Sequence, residues 1–360
     1  MYLLHTIAGA LVAAALACAP AFAQADMQMT AAGRHQLVEA VIKEVDDNYV
    51  FPDKAKLVGA RLRAQYQSGA YERAAGARQL AEMLTQELQA TTGDRHLRVT
   101  YSEQPIPASK PNAAPSADEQ ARRLTMMRSA NFGVRKIEHL PFNIGYLELE
   151  GFMSARDAAE TLGAAMTVLA HTDALIIDLR NNGGGDAAAV TLLAGYLLDK
   201  PTHLSDFYYR AGNRIEPRWS ADAVSGLRYG QKKDVYVLTS KDSFSAAEDF
   251  TYALKNLKRV TVVGETTGGG AHPGADRRLL PHFTAFVPLG RSISPITKTN
   301  WEGAGVTPDI KVCAGDALRT AQAAILAKMA ASGTDGVTLG YLEERIAALG
   351  PAPAPSPGCR

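Results

Sequence analysis

The chain has 360 residues, of which 46% are hydrophobic and 21% are charged, and its formal net charge is +1. A chain of this length can bury a full hydrophobic core, in one large domain or in two smaller ones. The balanced charge gives neither the basic surface typical of nucleic-acid binding nor one suited to anionic membranes. We therefore expect a globular protein without a nucleic-acid partner.

The N-terminus has the pattern of an export signal. Residues 7–19 form an apolar segment that is too short to span a bilayer comfortably. Pro20 and the small-residue pattern AFA at 21–23 follow it, which is typical of a secretory signal peptide. The sequence thus predicts a signal peptide at 1–23 that is cleaved after its last residue. It also predicts a periplasmic or secreted protein with no stable membrane insertion after cleavage.

The first part of the mature chain has a helical pattern. Apolar residues between 30 and 91 recur at spacings of three and four, with a break at Phe51-Pro52-Asp53, which indicates amphipathic helices. We expect a small N-terminal helical domain over residues 24–102. A proline-rich linker follows at 103–116, and a proline-rich tail is expected at 346–360.

Residues 117–345 alternate between strand and helix patterns. The strands are expected at 144–149, 174–179, 235–238, 260–263, 283–288 and 310–312, and the helices at 117–130, 155–170, 187–198, 246–257 and 317–331. This alternation favours an α/β core with parallel strand pairing. Two cysteines, Cys313 and Cys359, remain after signal cleavage and could form one disulfide in an oxidising compartment.

A serine lies at the corner between a predicted strand and a predicted helix. The strand ends at Leu238, and the helical pattern begins near Ala246. Ser245 would then lie beside unpaired backbone N–H groups and the positive end of the helix dipole. Acyl-transfer chemistry needs such donors for an oxyanion. The alternative is that Ser243 or Ser245 is only a helix N-cap.

Four motifs occur in a defined order along the chain: GDRHLRV at 93–99, DLRNNGGG at 178–185, SFSAAE at 243–248 and NWEGAGVTPD at 300–309. Together they resemble the S41 family of serine peptidases, in particular the branch that includes the interphotoreceptor retinoid-binding protein modules. The resemblance covers most of the mature chain. It implies a crotonase/ClpP-like ββα-spiral catalytic core after the helical domain, and a serine-type peptidase.

The resemblance also implies a set of catalytic residues. It places the nucleophile at Ser245. The Ser/Lys members of the family carry a lysine base in a segment where this chain has Gly270. The tricorn-like branch uses a histidine and a glutamate instead, and these positions are His96 and Glu302 here. Arg95 stands where tricorn has a serine that links the glutamate to the histidine.

The chemistry of these residue types agrees with that assignment. A serine hydroxyl needs a neutral imidazole to accept its proton. The imidazole needs a carboxylate that fixes its tautomer and stabilises the imidazolium ion. His272, in a glycine-rich loop, is the competing base, and we expect it to line the substrate cleft.

The glycine-rich loop after the strand at 174–179 can supply backbone N–H groups. We expect Gly183 or Gly184, together with Ala246, to donate to the oxyanion. A phosphate-binding loop is the rival interpretation, but neither a Walker lysine nor dinucleotide glycine spacing accompanies the glycines.

The combined interpretation is an exported serine peptidase that hydrolyses peptide bonds of a peptide or protein substrate through a Ser-His-Glu acyl-enzyme mechanism. No cofactor and no metal are expected, because the other histidines show no metal-ligand spacing. About 45 residues separate the His96 motif from the strand at 144–149, too few for an inserted PDZ domain. The alternative function is a non-catalytic carrier of a hydrophobic small molecule. The sequence does not indicate the substrate or the oligomeric state.

Overall fold

The computed structural model describes residues 26–108, 116–332 and 336–350. The predicted signal peptide, the middle of the proline-rich linker, most of the predicted tail and Cys359 lie outside these residues. Cys313 is disulfide-bonded. Among the described residues, no helix is both long and apolar enough to cross a bilayer.

The helices of the described residues are α1 (Ala31–Asn48), α2 (Pro52–Gln67), α3 (Ala77–Thr92), α4 (Ala117–Ser129), α5 (Ala155–Leu169), α6 (Ala187–Leu197), α7 (Ala246–Asn256), α8 (Ala317–Ala331) and α9 (Gly336–Leu349). The strands are β1 (Arg98–Tyr101), β2 (Val134–Leu140), β3 (Ile144–Leu149), β4 (Ala174–Asp178), β5 (His203–Tyr209), β6 (Arg214–Trp219), β7 (Asp234–Thr239), β8 (Thr261–Gly264), β9 (Gly274–Leu280), β10 (Phe283–Pro288), β11 (Gly290–Ile293) and β12 (Ile310–Lys311).

A six-stranded sheet forms the centre of the molecule. Its strand order is β12-β8-β7-β4-β3-β2, and every pair is parallel except the antiparallel β2–β3 pair at one edge. Leu175 and Ile177 pack with α5, α6 and α7, whereas Ile176 packs with α8 on the other face. Helices cover both faces, so the central strands are continuous apolar runs. The predicted α/β class with an N-terminal helical region is confirmed.

The N-terminal helices share a core with a later hairpin. Strand β1 pairs with β10, which pairs with β9, and both pairs are antiparallel. Phe283 and Ala285 of β10 are buried in the same cluster as Leu37 of α1 and Leu84 of α3. The N-terminal helices therefore pack on this hairpin as well as on one another. The predicted domain boundary at residue 102 stays a prediction. Because β1 directly follows the turn after α3, its pairing with β10 places that turn next to the hairpin.

Candidate active site

Ser245 lies at the turn between β7 and α7 in a strained backbone conformation. Its φ is 56° and its ψ is −114°. A non-glycine residue with such a conformation costs about 1–3 kcal/mol and persists only when its surroundings hold it. The serine N–H donates to the carboxylate of Glu248, one helical turn later, at 2.9 Å. The half-buried Ser245 lines a cavity of about 490 Å³.

Glu248 fastens the serine turn to a neighbouring glycine-rich loop. Besides the N–H of Ser245, its buried carboxylate accepts hydrogen bonds from the N–H of Gly269 at 2.6 Å and of Gly270 at 2.8 Å. The hydroxyl of Thr267 donates to it as well. Burial raises the pKa of Glu248, and these hydrogen bonds oppose the rise. The carboxylate therefore fixes the backbone on both sides of the cavity.

Ser243 has a different environment from Ser245. Its side chain is fully buried, and its hydroxyl donates to the carbonyl of Leu179 at 2.7 Å. The N–H of Ser240 donates to the same hydroxyl at 3.0 Å. With both contacts made inside the protein, Ser243 supports the turn and does not reach the cavity.

Two backbone N–H groups beside Ser245 are free to bind an oxyanion. Neither the N–H of Gly183 nor that of Ala246 has a hydrogen-bond partner among the described residues, and both residues line the cavity. The N–H of Gly184, the alternative donor expected from the sequence, donates to the side-chain oxygen of Asn182 at 2.9 Å, so Gly183 is the one of the two whose N–H is unpaired among the described residues. Gly184 instead allows close packing. Its φ is +107°, and an added Cβ would lie 2.7 Å from the Ser245 Cβ.

The structure places His96 in the same cavity as Ser245. Burial lowers the pKa of His96 to about 4, although the charge of Asp94 acts in the opposite direction. The imidazole is therefore neutral near pH 7, as a general base requires. Its ring packs against Phe244, 4.6 Å between ring centroids, and against Phe286. Among the described residues, no hydrogen bond joins it to Ser245 or Glu302.

The absence of a side chain at residue 270 makes room for these rings. A Cβ on Gly270 would lie 2.2 Å from the Phe244 ring and 2.6 Å from the His96 Cε1. Any larger residue there would displace one of them. The position that carries a lysine in the Ser/Lys members is therefore occupied in space by the His96 and Phe244 rings.

Glu302 lies close to the imidazoles of His96 and His272. One of its carboxylate oxygens accepts the N–H of Ala271 at 2.6 Å and lies 3.4 Å from the Nδ1 of His272. The other oxygen, Oε1, is buried without a hydrogen-bond partner among the described residues. Burial and the charge of Asp94 raise the pKa of Glu302 to about 7.

Asp94 is a member of the site that the sequence analysis did not single out. It is buried and accepts hydrogen bonds from the backbone N–H of His96 at 3.0 Å, the hydroxyl of Tyr49 at 3.1 Å and the Nδ1 of His272 at 2.6 Å. Burial acts to raise the pKa of Asp94, but the hydrogen bond and charge of His272 outweigh it and the pKa is lowered. The only available signal was its position in the GDRH motif.

His272 and Arg95 take up distinct positions. His272 lines the cavity, as expected, and its hydrogen bond to Asp94 also makes it part of the buried network. Arg95 is exposed. Its guanidinium donates to the carbonyl of Gly268 at 2.6 Å and lies over the Phe244 ring, 5.4 Å from the centroid. Arg95 therefore packs on the solvent side of Phe244, a residue that lines the cavity.

Two family models match the chain. The model for peptidase family S41 matches residues 143–312, and the model described as the N-terminal domain of Peptidase_S41 in eukaryotic IRBP matches residues 21–132. The chain belongs to peptidase family S41. The S41 model spans the candidate nucleophile, the oxyanion loop and Glu302, whereas His96 lies in the N-terminal match.

Several curated S41 peptidases are similar to parts of this chain. Carboxyl-terminal-processing peptidase 2 of Arabidopsis thaliana chloroplasts is 29% identical over 171 residues, which are 46% of this chain and 31% of that protein. The tail-specific protease of Haemophilus influenzae is 29% identical over 154 residues, 42% of this chain and 20% of that protein. The chain thus spans less than a third of the length of either relative.

A solved structure supports the fold assignment. A lipoprotein from Streptococcus agalactiae superposes with a TM-score of 0.55 at 14% identity, covering 82% of this chain and 96% of that one. At this identity the likeness concerns the fold alone.

Proposed function

We propose that this chain is an exported serine peptidase that cleaves peptide bonds through an acyl-enzyme on Ser245. The observation that carries the proposal is the environment of this serine. It stands at a strained strand–helix turn and shares one cavity with the neutral imidazole of His96 and with two backbone N–H groups that have no partner in the part of the chain that the structure describes. A nucleophile, an oxyanion site and a base are the three parts that acyl transfer needs.

The proposed reaction assigns one step to each part. The Oγ of Ser245 attacks the scissile carbonyl carbon while His96 accepts the hydroxyl proton. The carbonyl oxygen becomes an oxyanion held by the N–H groups of Gly183 and Ala246. The imidazolium then gives its proton to the leaving amine, which leaves an acyl-enzyme. Water, deprotonated by the same imidazole, attacks the ester, and the proton returns to Ser245 as the acid is released.

Glu302 is proposed to orient His96 and to stabilise the imidazolium ion. One ring nitrogen of His96 and one oxygen of Glu302 lie within 4.8 Å of each other. The Nδ1 of His96 and the Oε1 of Glu302 are also both buried without hydrogen-bond partners among the described residues. Catalytic hydrogen bonds are often long in the free enzyme and shorten when substrate binds.

Export is proposed from the apolar segment at 7–19 and the small residues that follow it. N-terminal sequencing of the mature protein recovered from the periplasm or the medium should begin at Gln24. Protein found only in the cytoplasm with its first 23 residues intact would refute this part of the proposal.

Fluorophosphonate labelling of the purified protein tests the nucleophile. Ser245→Ala should abolish the labelling and peptide hydrolysis while leaving the circular dichroism spectrum unchanged. Ser243→Ala is the matched control. It should retain the label but lose about 1–2 kcal/mol of stability, because two buried partners lose their hydrogen bonds. Labelling that survives Ser245→Ala and disappears with Ser243→Ala would show that the nucleophile is misassigned.

The cavity also fits the alternative of a hydrophobic ligand carrier. Its volume of about 490 Å³ and its aromatic residues Phe207, Tyr209, Phe286 and Trp301 suit a small apolar molecule. A titration with retinol, followed by fluorescence, separates the two functions. Saturable retinol binding by a protein that neither labels nor hydrolyses peptides would favour the carrier.

A further inference from the structure

Three side chains of types that bind metals come together beside the cavity. One ring nitrogen of His96 and one carboxylate oxygen each from Asp94 and Glu302 lie within 4.8 Å of one another. Asp94 and His96 are buried, and the Glu302 side chain is 18% exposed. The expectation of no metal rested on spacing along the sequence, which cannot detect a cluster whose third member comes from a distant segment.

The Nδ1 of His96 points to a missing partner in this cluster. The side chain is 5% exposed, and its Nδ1 lies 3.9 Å from the Oδ1 of Asp94 with no hydrogen-bond partner among the described residues. The Oε1 of Glu302 is also buried and has no hydrogen-bond partner among the described residues. A buried polar atom that is left unpaired costs free energy. A cation bound by the cluster would supply the partner that the Nδ1 of His96 lacks.

The donor set and its spacing suit a zinc-type ion. Imidazole nitrogen and carboxylate oxygen bind Zn²⁺ at about 2.0–2.2 Å, so tetrahedral ligand atoms lie about 3.3–3.6 Å apart. The 3.9 Å between His96 and Asp94 is close to this spacing. The widest pair would have to close by roughly 1 Å. Two carboxylates balance a divalent charge, and three protein ligands leave the fourth position open.

We propose that Asp94, His96 and Glu302 bind one divalent transition-metal ion of the zinc type, and that this ion switches the peptidase off. The inhibition rests on the proposed function, whereas the binding does not. A neutral imidazole has a single nitrogen lone pair. With the metal on Nδ1, the other ring nitrogen keeps its proton and cannot accept the proton of Ser245. The metal also removes Glu302 from its orienting role.

Isothermal titration calorimetry of the full mature protein, stripped with EDTA and exchanged into a non-chelating buffer, tests the site. ZnCl₂ should bind with one-to-one stoichiometry, and MgCl₂ should not bind in the same range because Mg²⁺ prefers oxygen ligands in an octahedron. Asp94→Asn and Glu302→Gln should each weaken zinc binding at least about tenfold. Circular dichroism checks that both variants fold, and the isosteric Glu302→Gln keeps the test valid if Asp94→Asn does not.

A second imidazole–carboxylate pair provides the control. His203 Nε2 lies 2.8 Å from Asp206 Oδ1, and neither residue belongs to the cluster, so His203→Ala should leave zinc binding unchanged. Ser245→Ala should also bind zinc as the parent protein does. Zinc binding that is lost in His203→Ala, or that is unchanged in both Asp94→Asn and Glu302→Gln, would overturn the site.

Peptide hydrolysis gives an independent readout of the switch. Zinc at concentrations that saturate the calorimetric site should abolish hydrolysis by the metal-free enzyme, and EDTA should restore it. Full activity with the site saturated would overturn the inhibitory role. Zinc binding by a protein that has no peptidase activity in the metal-free state would instead refute the proposed function and leave the metal site standing.

Discussion

Acidic and basic side chains, among them Asp94, His96 and Glu302, lie close together in the buried region next to Ser245. Desolvation has opposite effects on the two central members. It lowers the pKa of His96 to about 4, and together with the charge of Asp94 it raises that of Glu302 to about 7. The base is therefore in its proton-accepting form over most of the useful pH range. The ionisation of its proposed partner changes near neutrality.

The pH dependence of the rate should consequently follow Glu302. Ionised Glu302 stabilises the imidazolium ion, and the ionised fraction grows as the pH rises through about 7. We expect kcat/KM of EDTA-treated enzyme to increase through this value between pH 5 and pH 9. In Glu302→Gln that rise should disappear, and kcat should fall by orders of magnitude, as loss of a triad carboxylate can cause. A rise near pH 7 that persists in Glu302→Gln would assign it to another group.

Arg95 provides the comparison for this experiment. It is exposed and touches the loop carbonyl of Gly268 and the Phe244 ring, not the imidazole partners. Arg95→Ala should therefore change kcat/KM on one peptide substrate by much less than Glu302→Gln does. Equal damage from the two substitutions would mean that the arginine takes part in the relay.

At the scale of elements, the loop at 267–270 lies between the helix that follows the proposed nucleophile and the ring of the proposed base. Glu248 holds the loop from the α7 side, and the rings of His96 and Phe244 lie against Gly270. The loop has no tolerance for a side chain at residue 270. The position of the His96 imidazole thus depends on Gly270, although this glycine has no side chain that could take part in catalysis.

Gly270→Ala should lower kcat strongly by displacing His96. Its Cβ would overlap both rings, and overpacking of this kind typically costs about 1–3 kcal/mol of stability. Gly315→Ala is the matched control, since an added Cβ there would meet nothing within 4 Å. Thermal unfolding and kcat should be measured for both variants. Normal kcat in a stably folded Gly270→Ala enzyme would contradict the proposed placement of the base.

Elements with strong apolar patterns could be predicted from the sequence, and those without could not. Strand β4 is buried at all five residues, and its run of apolar side chains made it visible. Strand β6 is mostly exposed and contains Pro217, so neither alternation nor a run marked it. Ser245 and Ala246 lie at the predicted start of a helix, and Gly183 lies in the glycine-rich loop between a predicted strand and a predicted helix. The hydrogen bond between Asp94 and His272 joins residues that are 178 positions apart in the sequence. No local sequence pattern indicates such a contact.

At the scale of the whole molecule, the proposed base His96 and the proposed nucleophile Ser245 belong to different packing units. His96 follows α3, whose Leu84 is fully buried among the N-terminal helices and the β9–β10 hairpin. Ser245 lies on the central sheet. The guanidinium of Arg210, just after β5, donates to the carbonyls of Asp46 and Tyr49 and joins the N-terminal unit to the three-stranded β11-β5-β6 sheet.

Loosening the N-terminal unit should therefore inactivate a site to which Leu84 makes no direct contribution. Leu84→Ala should cost about 2–5 kcal/mol of unfolding free energy. The N-terminal helices and the β9–β10 hairpin share one core. We therefore expect the loss of peptidase activity on heating to coincide with a single unfolding transition seen by circular dichroism. Activity that outlasts the unfolding of the N-terminal helices would show that His96 is not the base.

The long chain separation between Asp94 and His272 also has a consequence in time. Contacts between distant parts of a chain form late in folding, because closing a long loop costs entropy before the contact repays it. His96 and Glu302 come together only after the last of these loops has closed. A copy of the chain that has been synthesised only as far as residue 301 lacks Glu302, so the candidate site cannot assemble on it. The proposed peptidase activity should therefore appear only late in synthesis and folding.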